Sequence, residues 1–252
     1  MHQELFSLLA DLHKRNVRQG PGSEVASLRA LELSGIDREA ALRIADIGCG
    51  TGASSMLLAR ATRAHITAVD FLPEFLDVLR ENAEREGVRD RIETLSADMG
   101  ALPFEKATLD VLWAEGAIYN IGFSRGIREW KEFLKPGGVM VLTEITWLRR
   151  DVPEELSAHW ASEYAEVATA SEKMRTLEEN GYVPIGYFPL GEECWRQEYY
   201  APLQAGFDDF LGRHEGSAVA QEIIEADKKE IALYEKYHDF FSYGCYIARK
   251  SA

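Results

Sequence analysis

Basic charge, cysteine and unbroken apolar runs are all scarce in this 252-residue chain. Its 28 lysines and arginines face 42 aspartates and glutamates, a formal net charge of −14 with histidine neutral. Such a chain repels a phosphate backbone unless it gathers its cations on one face. The basic cluster His13-Lys14-Arg15 with Arg18 is too small for that, so nucleic acid is not an expected partner. The three cysteines, Cys49, Cys194 and Cys245, are odd in number and far apart, which argues against a disulfide framework and a thiolate zinc site. The six histidines show neither His-x-x-His nor a two-histidine-one-carboxylate spacing, so no metal is expected. The longest uncharged stretch, Ile47 to Ala59, contains three glycines. It falls well short of the roughly 20 apolar residues of a membrane span. Glu4 and Asp11 flank the first apolar run with no basic segment before it, unlike a signal peptide. The expected location is cytoplasmic.

What is present is a globular composition, 46% hydrophobic, patterned in two styles. Leu5, Leu8, Leu9 and Leu12 recur at helical spacing, and Arg18-Gln-Gly-Pro-Gly-Ser23 is a turn cluster. Ser23 caps a second expected helix carrying Leu28, Leu31 and Leu33, which Gly35 ends. From Ala41 strands and helices alternate. Strands are expected over 42–47, 65–69, 91–95, 109–114 and 139–143. Helices are expected through Ser54–Leu58, from Pro73 onward, and over 127–134, the last stopped by Lys135-Pro-Gly-Gly138. This rhythm predicts a doubly wound α/β sheet. The remainder reads as helices over 171–180, 208–214 and 220–238, with strand-like segments over 182–190 and 240–248.

The most informative stretch is Asp46-Ile-Gly-Cys-Gly-Thr-Gly52. A strand that runs into alternating glycines and then a helix lets the backbone approach a ligand and aims helix N–H groups at it. Asp70 closes the next strand 20 residues after Gly50, where a carboxylate can take both ribose hydroxyls. Taken alone, Gly48, Gly50 and Ala53 satisfy a dinucleotide pattern, so a nicotinamide-dependent oxidoreductase stays open, as does a turn without a ligand. No Gly-Lys-Ser/Thr is present, which removes a P-loop.

Further motifs narrow the choice. Asp46 to Gly52, Ala68-Val-Asp70, Ser96-Ala-Asp98-Met99, Leu102-Pro-Phe104, Trp113-Ala-Glu115 and Leu134-Lys-Pro-Gly-Gly138 occur in order. In this the chain resembles the class I S-adenosylmethionine-dependent methyltransferases, from about Ile44 to Thr143. Arg18 to Ser23 and Glu115-Gly-Ala-Ile-Tyr-Asn-Ile-Gly122 look like a bacterial small-molecule methyltransferase-like subgroup. The resemblance implies a Rossmann-like, mostly parallel seven-stranded sheet with an antiparallel last strand and helical additions at both ends. It implies one domain over 1–252: an N-terminal helical segment 1–40, a cofactor-binding core 41–190, a helical insertion or lid 191–239 and a final strand 240–252. S-adenosylmethionine is the implied cofactor, with S-adenosylhomocysteine as product, and a small molecule the implied acceptor. A homodimer is compatible with it, as is a non-catalytic protein that only binds the cofactor.

The same resemblance assigns roles. Asp46, Gly48, Cys49, Gly50, Thr51 and Gly52 would hold the methionine part, Asp70 the ribose, and Phe71 would lie against adenine. Asp98 and the Met99 N–H would read the adenine edge, and Glu115 would orient cofactor or accept a proton. Tyr119 and Asn120 are expected to touch the acceptor. Ala114-Glu115-Gly116-Ala117 departs from the Asn/Asp-Pro-Pro-Tyr/Phe pattern of methyltransferases acting on nucleobases. Trp147, Tyr187, Phe188, Trp195, Tyr199 and Tyr200 are expected around the mouth, where aromatic faces favour an apolar or cationic acceptor. Arg18 and Gln19, beside Gly20-Pro21-Gly22, are expected to form a lid together with the 191–239 insertion.

Overall fold

The computed structural model describes residues 2–251. Its centre is a sheet whose strands are β1 (Arg43–Ile47), β2 (His65–Asp70), β3 (Ile92–Ser96), β4 (Leu109–Ala114), β5 (Leu134–Trp147), β6 (Ala168–Thr169), β7 (Tyr182–Pro189) and β8 (Phe241–Lys250). They lie in the order β3-β2-β1-β4-β5-β8-β7, with the two-residue β6 pairing beside β5. β1 to β5 are parallel; β8 enters antiparallel to both β5 and β7. The mostly parallel sheet with an antiparallel last strand is therefore as expected, with the short β6 as an eighth strand. No helix among the described residues is long and apolar enough to cross a membrane.

The helices are α1 (His2–His13), α2 (Glu24–Ser34), α3 (Ala53–Ala61), α4 (Pro73–Arg85), α5 (Phe123–Trp130), α6 (Glu154–Glu163), α7 (Ala170–Glu179), α8 (Glu192–Trp195), α9 (Ala201–Ala205), α10 (Phe207–Arg213) and α11 (Ala218–Tyr237). Alternation along the strands divides the core in two. Ile44, Ile66, Val111, Trp113 and Val141 share a cluster with residues of α1, α2, α3, α4 and α11. Ala45, Ile47, Leu112, Met140 and Leu142 pack with Phe123, Ile127, Trp130 and Leu177 of α5 and α7. Both faces are covered, which is why the strands read as near-continuous apolar runs. Ser23 caps α2 by accepting from the Ala26 N–H at 3.0 Å, and Gly35 ends it at φ 62°.

Chain direction across the sheet reverses between β1 and β4: β2 and β3 lie to one side, β4 and β5 to the other. The loops leaving β1 and β4 therefore diverge, opening a crevice at the carboxyl ends of the strands. Asp46 pairs with Ala68 on β2 and Trp113 on β4, directly beneath that crevice.

The expected helix over 127–134 is corrected. α5 spans Phe123–Trp130, and Leu134 is the first residue of β5, paired with Leu109. Ile127, Trp130 and Leu134 repeat at helical spacing, but Leu134 is buried by its strand neighbour rather than by a helix face. The Lys135 to Gly138 stretch does not stop a helix; it is absorbed into β5 beside a register shift between Leu109 and Val111. α6 has no counterpart in the sequence reading, because Leu156 is its one fully buried residue and no apolar stripe marks it.

Candidate active site

β1 delivers Asp46 to the crevice and the chain then turns through three glycines into α3. Gly48 and Gly50 have φ of 72° and 55°, a left-handed backbone natural to glycine. A Cβ on Gly48 would stand 2.3 Å from the Ala117 Cβ, so only glycine lets the loops after β1 and β4 close on each other. Asp46 is fully buried; its Oδ2 accepts the Ser55 hydroxyl at 2.6 Å, and its Oδ1 has no partner among the described residues. Burial pushes its carboxyl up to about 7, against the Ser55 bond. Asp70 is held differently: Oδ2 accepts the Gly50 N–H and Oδ1 the Leu72 N–H, each at 2.9 Å. Burial raises its carboxyl too, with the Leu72, Gly50 and Phe71 N–H groups opposing. Each Asp70 oxygen keeps a lone pair for a ligand hydroxyl.

At the end of β4, Glu115 is occupied on every side. It accepts from Arg18 Nη1 at 2.6 Å, the Ser27 hydroxyl at 2.7 Å and Trp113 Nε1 at 2.9 Å. Burial would raise its carboxyl, but the Arg18 charge and the three donors outweigh that and hold it below the usual range. Such a carboxylate orients its neighbours and is a poor proton acceptor. Gln19 is a clasp. Its Nε2 donates to Asn16 O at 2.9 Å and to the Thr51 hydroxyl at 3.0 Å, while Oε1 accepts the Thr51 N–H at 2.9 Å. The N-terminal strap is thereby tied directly to the glycine loop.

These groups line one cavity of about 520 Å³. Along its walls lie Asp46, Gly48, Cys49, Gly50, Asp70, Phe71, Asp98, Met99, Glu115, Tyr119 and Asn120, all named from sequence, together with Arg18, Gln19 and Tyr199. Thr51 and Gly52 stand just behind, in the turn into α3. Phe71 is exposed at the mouth, its ring centroid 5.9 Å from that of Phe6. Asp98 Oδ1 caps its own turn by accepting the Gly100 N–H at 2.8 Å. Tyr119 is 43% exposed, its ring edge-on to Tyr164, and the Asn120 amide donates to Ala117 O at 2.9 Å. Cys49 is a buried spacer whose thiol is pushed up by burial.

The remaining aromatic residues lie elsewhere. Trp195 is 3% exposed, stacked on Tyr234 at 4.6 Å and donating to the Ser242 hydroxyl. Tyr200 is buried with its hydroxyl on Glu230 at 2.9 Å. Trp147 ends β5 against the core, Tyr187 packs on Tyr246, and Phe188 lies under Arg29. Of the six, Tyr199 alone lines the cavity; Tyr200, its neighbour in a π-helical turn over Arg196–Tyr200, is buried with its ring centroid 5.1 Å from that of Tyr199. α1, the Arg18 to Pro21 strap and Tyr199 border the cavity, while Trp195 and Tyr200 of the insertion are buried in the core.

Sequence reasoning missed Phe6, Leu9 and His13, the face of α1 turned to the cavity. Their helical spacing was legible; that they cover a ligand was not. His13 stacks on Tyr199 and has no partner at Nδ1 among the described residues. Burial brings its imidazole down to about 4, so it is neutral at pH 7. Outside the cavity, Glu192, His238 and Asp239 bring ligand atoms within 4.8 Å of one another, the one such trio among the described residues.

Taken together, the cavity offers an unpartnered carboxylate oxygen at Asp46, a diol acceptor at Asp70 and an aromatic pair at its mouth. That set fits a ligand carrying an ammonium, a ribose and a flat heterocycle. Comparison with known proteins agrees with it. Residues 44–138 match the family described as a methyltransferase domain. Methyltransferase GfsG of Streptomyces halstedii is 29% identical over 155 residues, covering 57% of this chain and 56% of that protein. Demethylmenaquinone methyltransferase of Clavibacter sepedonicus is 37% identical over 105 residues, 41% of each. The chain thus spans about half the length of the curated relatives it matches. Among solved structures, YjhP from E. coli superposes with a TM-score of 0.82 at 21% identity, covering 97% of this chain and 99% of that one. A SAM-dependent methyltransferase from Geobacter sulfurreducens in complex with S-adenosyl-L-homocysteine gives 0.79 at 20%, with 97% of both chains covered. These structural likenesses establish the fold.

Proposed function

We propose that the chain, whose residues 44–138 match a methyltransferase domain, is a class I enzyme that transfers a methyl group from S-adenosylmethionine to a small-molecule acceptor. The observation that carries the reading is the unpartnered, fully buried Oδ1 of Asp46 in the cavity that also holds Asp70. A buried carboxylate oxygen left without a donor is costly, and an ammonium is the group that relieves it. When bound, S-adenosylmethionine supplies a sulfonium methyl open to in-line displacement by an acceptor lone pair.

The chain's own residues supply the rest. Asp46 would hold the ammonium end, Asp70 the two ribose hydroxyls, and Phe71 with Phe6 the heterocycle. Arg18 keeps Glu115 ionised and fixed, so Glu115 serves to orient rather than to take a proton. Alignment and exclusion of water then do most of the catalytic work. α1 and the strap, tied down through Gln19, exclude that water. Tyr119, Asn120 and Tyr199 at the inner end would meet the acceptor. A pocket roofed by α1 and the strap suits a small molecule better than a polymer, and the acidic chain suits a cytoplasmic enzyme that avoids nucleic acid.

The test is transfer of label from S-[methyl-³H]adenosylmethionine to a small-molecule fraction of a cell extract. Label in that fraction is expected. Label confined to protein or nucleic acid would overturn the choice of acceptor. Cofactor binding without any transfer would favour a non-catalytic binding protein.

A further inference from the structure

The methionine end of S-adenosylmethionine carries a carboxylate beside its ammonium, and Asp46 answers the ammonium alone. Among the described residues, the cavity is lined by the carboxylates of Asp46, Asp70, Asp98 and Glu115, by one arginine, Arg18, and by no lysine. An anion entering that space is repelled by every charged group but Arg18. The backbone of the glycine loop offers it little. The N–H groups of Gly48 and Cys49 are engaged by Val69 O, that of Gly50 by Asp70, that of Thr51 by Gln19 and that of Gly52 by Cys49 O. The first turn of α3, where Ala53 and Ser54 reach the cavity, is the other source of N–H donors on this wall.

Arg18 is 9% exposed, and two elements hold its guanidinium. Nη1 donates to Glu115, just past β4, at 2.6 Å, and Nη2 donates to the Ser27 hydroxyl on α2 at 3.0 Å. Ser27 in turn donates to Glu115 at 2.7 Å, which closes the ring of contacts. A guanidinium has five N–H groups. These bonds use two of them, so three have no partner among the described residues. Because the planar fork is already fixed, a ligand that meets it costs little further side-chain entropy. Asp46 pairs across the sheet with Trp113, and the Trp113 indole N–H donates to the same Glu115 that holds Arg18. Asp46 and Arg18 therefore stand at one end of the cavity.

Resting on the cofactor reading above, we propose that Arg18 anchors the carboxylate of the methionine end of S-adenosylmethionine. The anchor comes from a strap that lies outside the matched residues 44–138. With the amino acid bound, charges alternate along one row: Asp46, ammonium, carboxylate, Arg18, Glu115. Each then has a neighbour of opposite sign, which is what charges taken out of water require. Glu115 holds the guanidinium in place without exhausting it, since three N–H groups stay free for the ligand. The strap that borders the cavity is thereby also a recognition element, and it selects for a free carboxylate.

The experiment is calorimetry on the full chain with S-adenosylhomocysteine and with decarboxylated S-adenosylhomocysteine. The second ligand keeps the adenosine, the thioether and the ammonium and lacks only the carboxylate. The parent is expected to bind S-adenosylhomocysteine about 10- to 100-fold more tightly, as hydrogen bonds between charged groups would give. Arg18→Gln alone strands Glu115, so the deciding variant combines Arg18→Gln with Glu115→Gln, which leaves neither charge of the pair. There the two ligands should bind within about threefold of each other, because the loss of a charged donor weakens S-adenosylhomocysteine alone. Glu115→Gln by itself keeps Arg18 and should keep the preference. A preference that survives in the double variant overturns the proposal and gives the carboxylate to the first turn of α3. A parent that binds both ligands equally overturns it too, as does a preference already lost in Glu115→Gln. Failure of both ligands to bind the parent counts against the cofactor reading instead.

Discussion

Replacing Asp46 by asparagine should make the ligand-free chain more stable and nearly blind to its cofactor. Asp46 is fully buried, with one oxygen on Ser55 and the other unpartnered. Burial moves its carboxyl from the ordinary 3.8 to about 7. A carboxyl raised on folding favours the folded state most when protonated. The stability it lends is fully present below pH 3.8 and lost as pH rises through about 7. A rise of that size sets a ceiling on the order of 4 kcal/mol at pH 8. Asparagine keeps the Ser55 hydrogen bond and leaves an unpartnered amide in place of an unpartnered charge, a smaller burden. After relaxation about 1–2 kcal/mol of stabilisation is expected, which for a chain of this size is roughly 2–8 °C in Tm. The assay is thermal unfolding at pH 5.5 and pH 8, with and without S-adenosylhomocysteine. The asparagine chain should melt higher than the parent at pH 8, by less at pH 5.5, and lose most of the ligand-induced rise. A variant that melts lower at pH 8, or that keeps the full rise, refutes the reasoning.

Other substitutions separate binding, packing and closure. Asp70→Ala removes a charged acceptor and also frees the Gly50 and Leu72 N–H groups. S-Adenosylhomocysteine affinity measured by calorimetry should fall by about 1.5–3 kcal/mol. Arg18→Ala leaves Glu115 buried without its cation; denaturant unfolding should show a loss of about 3–5 kcal/mol, and a loss below about 1 kcal/mol would mean the pair is solvated. Trp195→Ala should destabilise by about 3–5 kcal/mol while the folded fraction binds S-adenosylhomocysteine normally, since Trp195 is core; a selective loss of binding would return it to the site. Gln19→Ala removes the amide bonds between the strap and Thr51 and leaves only the Thr51 hydroxyl on Asn16 O and Val17 O, so trypsin should cut at Arg15 and Arg18 faster than in the parent, and unchanged cleavage would discount the clasp.

Much of this site could be read in the sequence because its chemistry depends on backbone. Alternating glycines after a strand, and a carboxylate at the end of the next one, fix where β1 and β2 end. Asp46, Gly48, Gly50 and Asp70 consequently meet in the cavity. The aromatic residues could not be sorted in this way. Tyr199 and Tyr200 are adjacent and equally apolar, yet one lines the cavity and the other is buried beside it, a difference that only the fold decides. Leu134 looked helical because its spacing from Ile127 and Trp130 matches a helix, whereas its burial comes from Leu109 across the sheet. Arg18 was legible as polar and close to a hinge. Its partner Glu115 lies 97 residues away, and only the fold brings them together.

Calorimetric titration of the purified chain with S-adenosylhomocysteine and, separately, with NADH tests the central claim most directly. The account predicts saturable one-to-one binding of S-adenosylhomocysteine, lost in Asp46→Asn and weakened in Asp70→Ala, with no heat from NADH. Tight binding of NADH with no response to S-adenosylhomocysteine would contradict it.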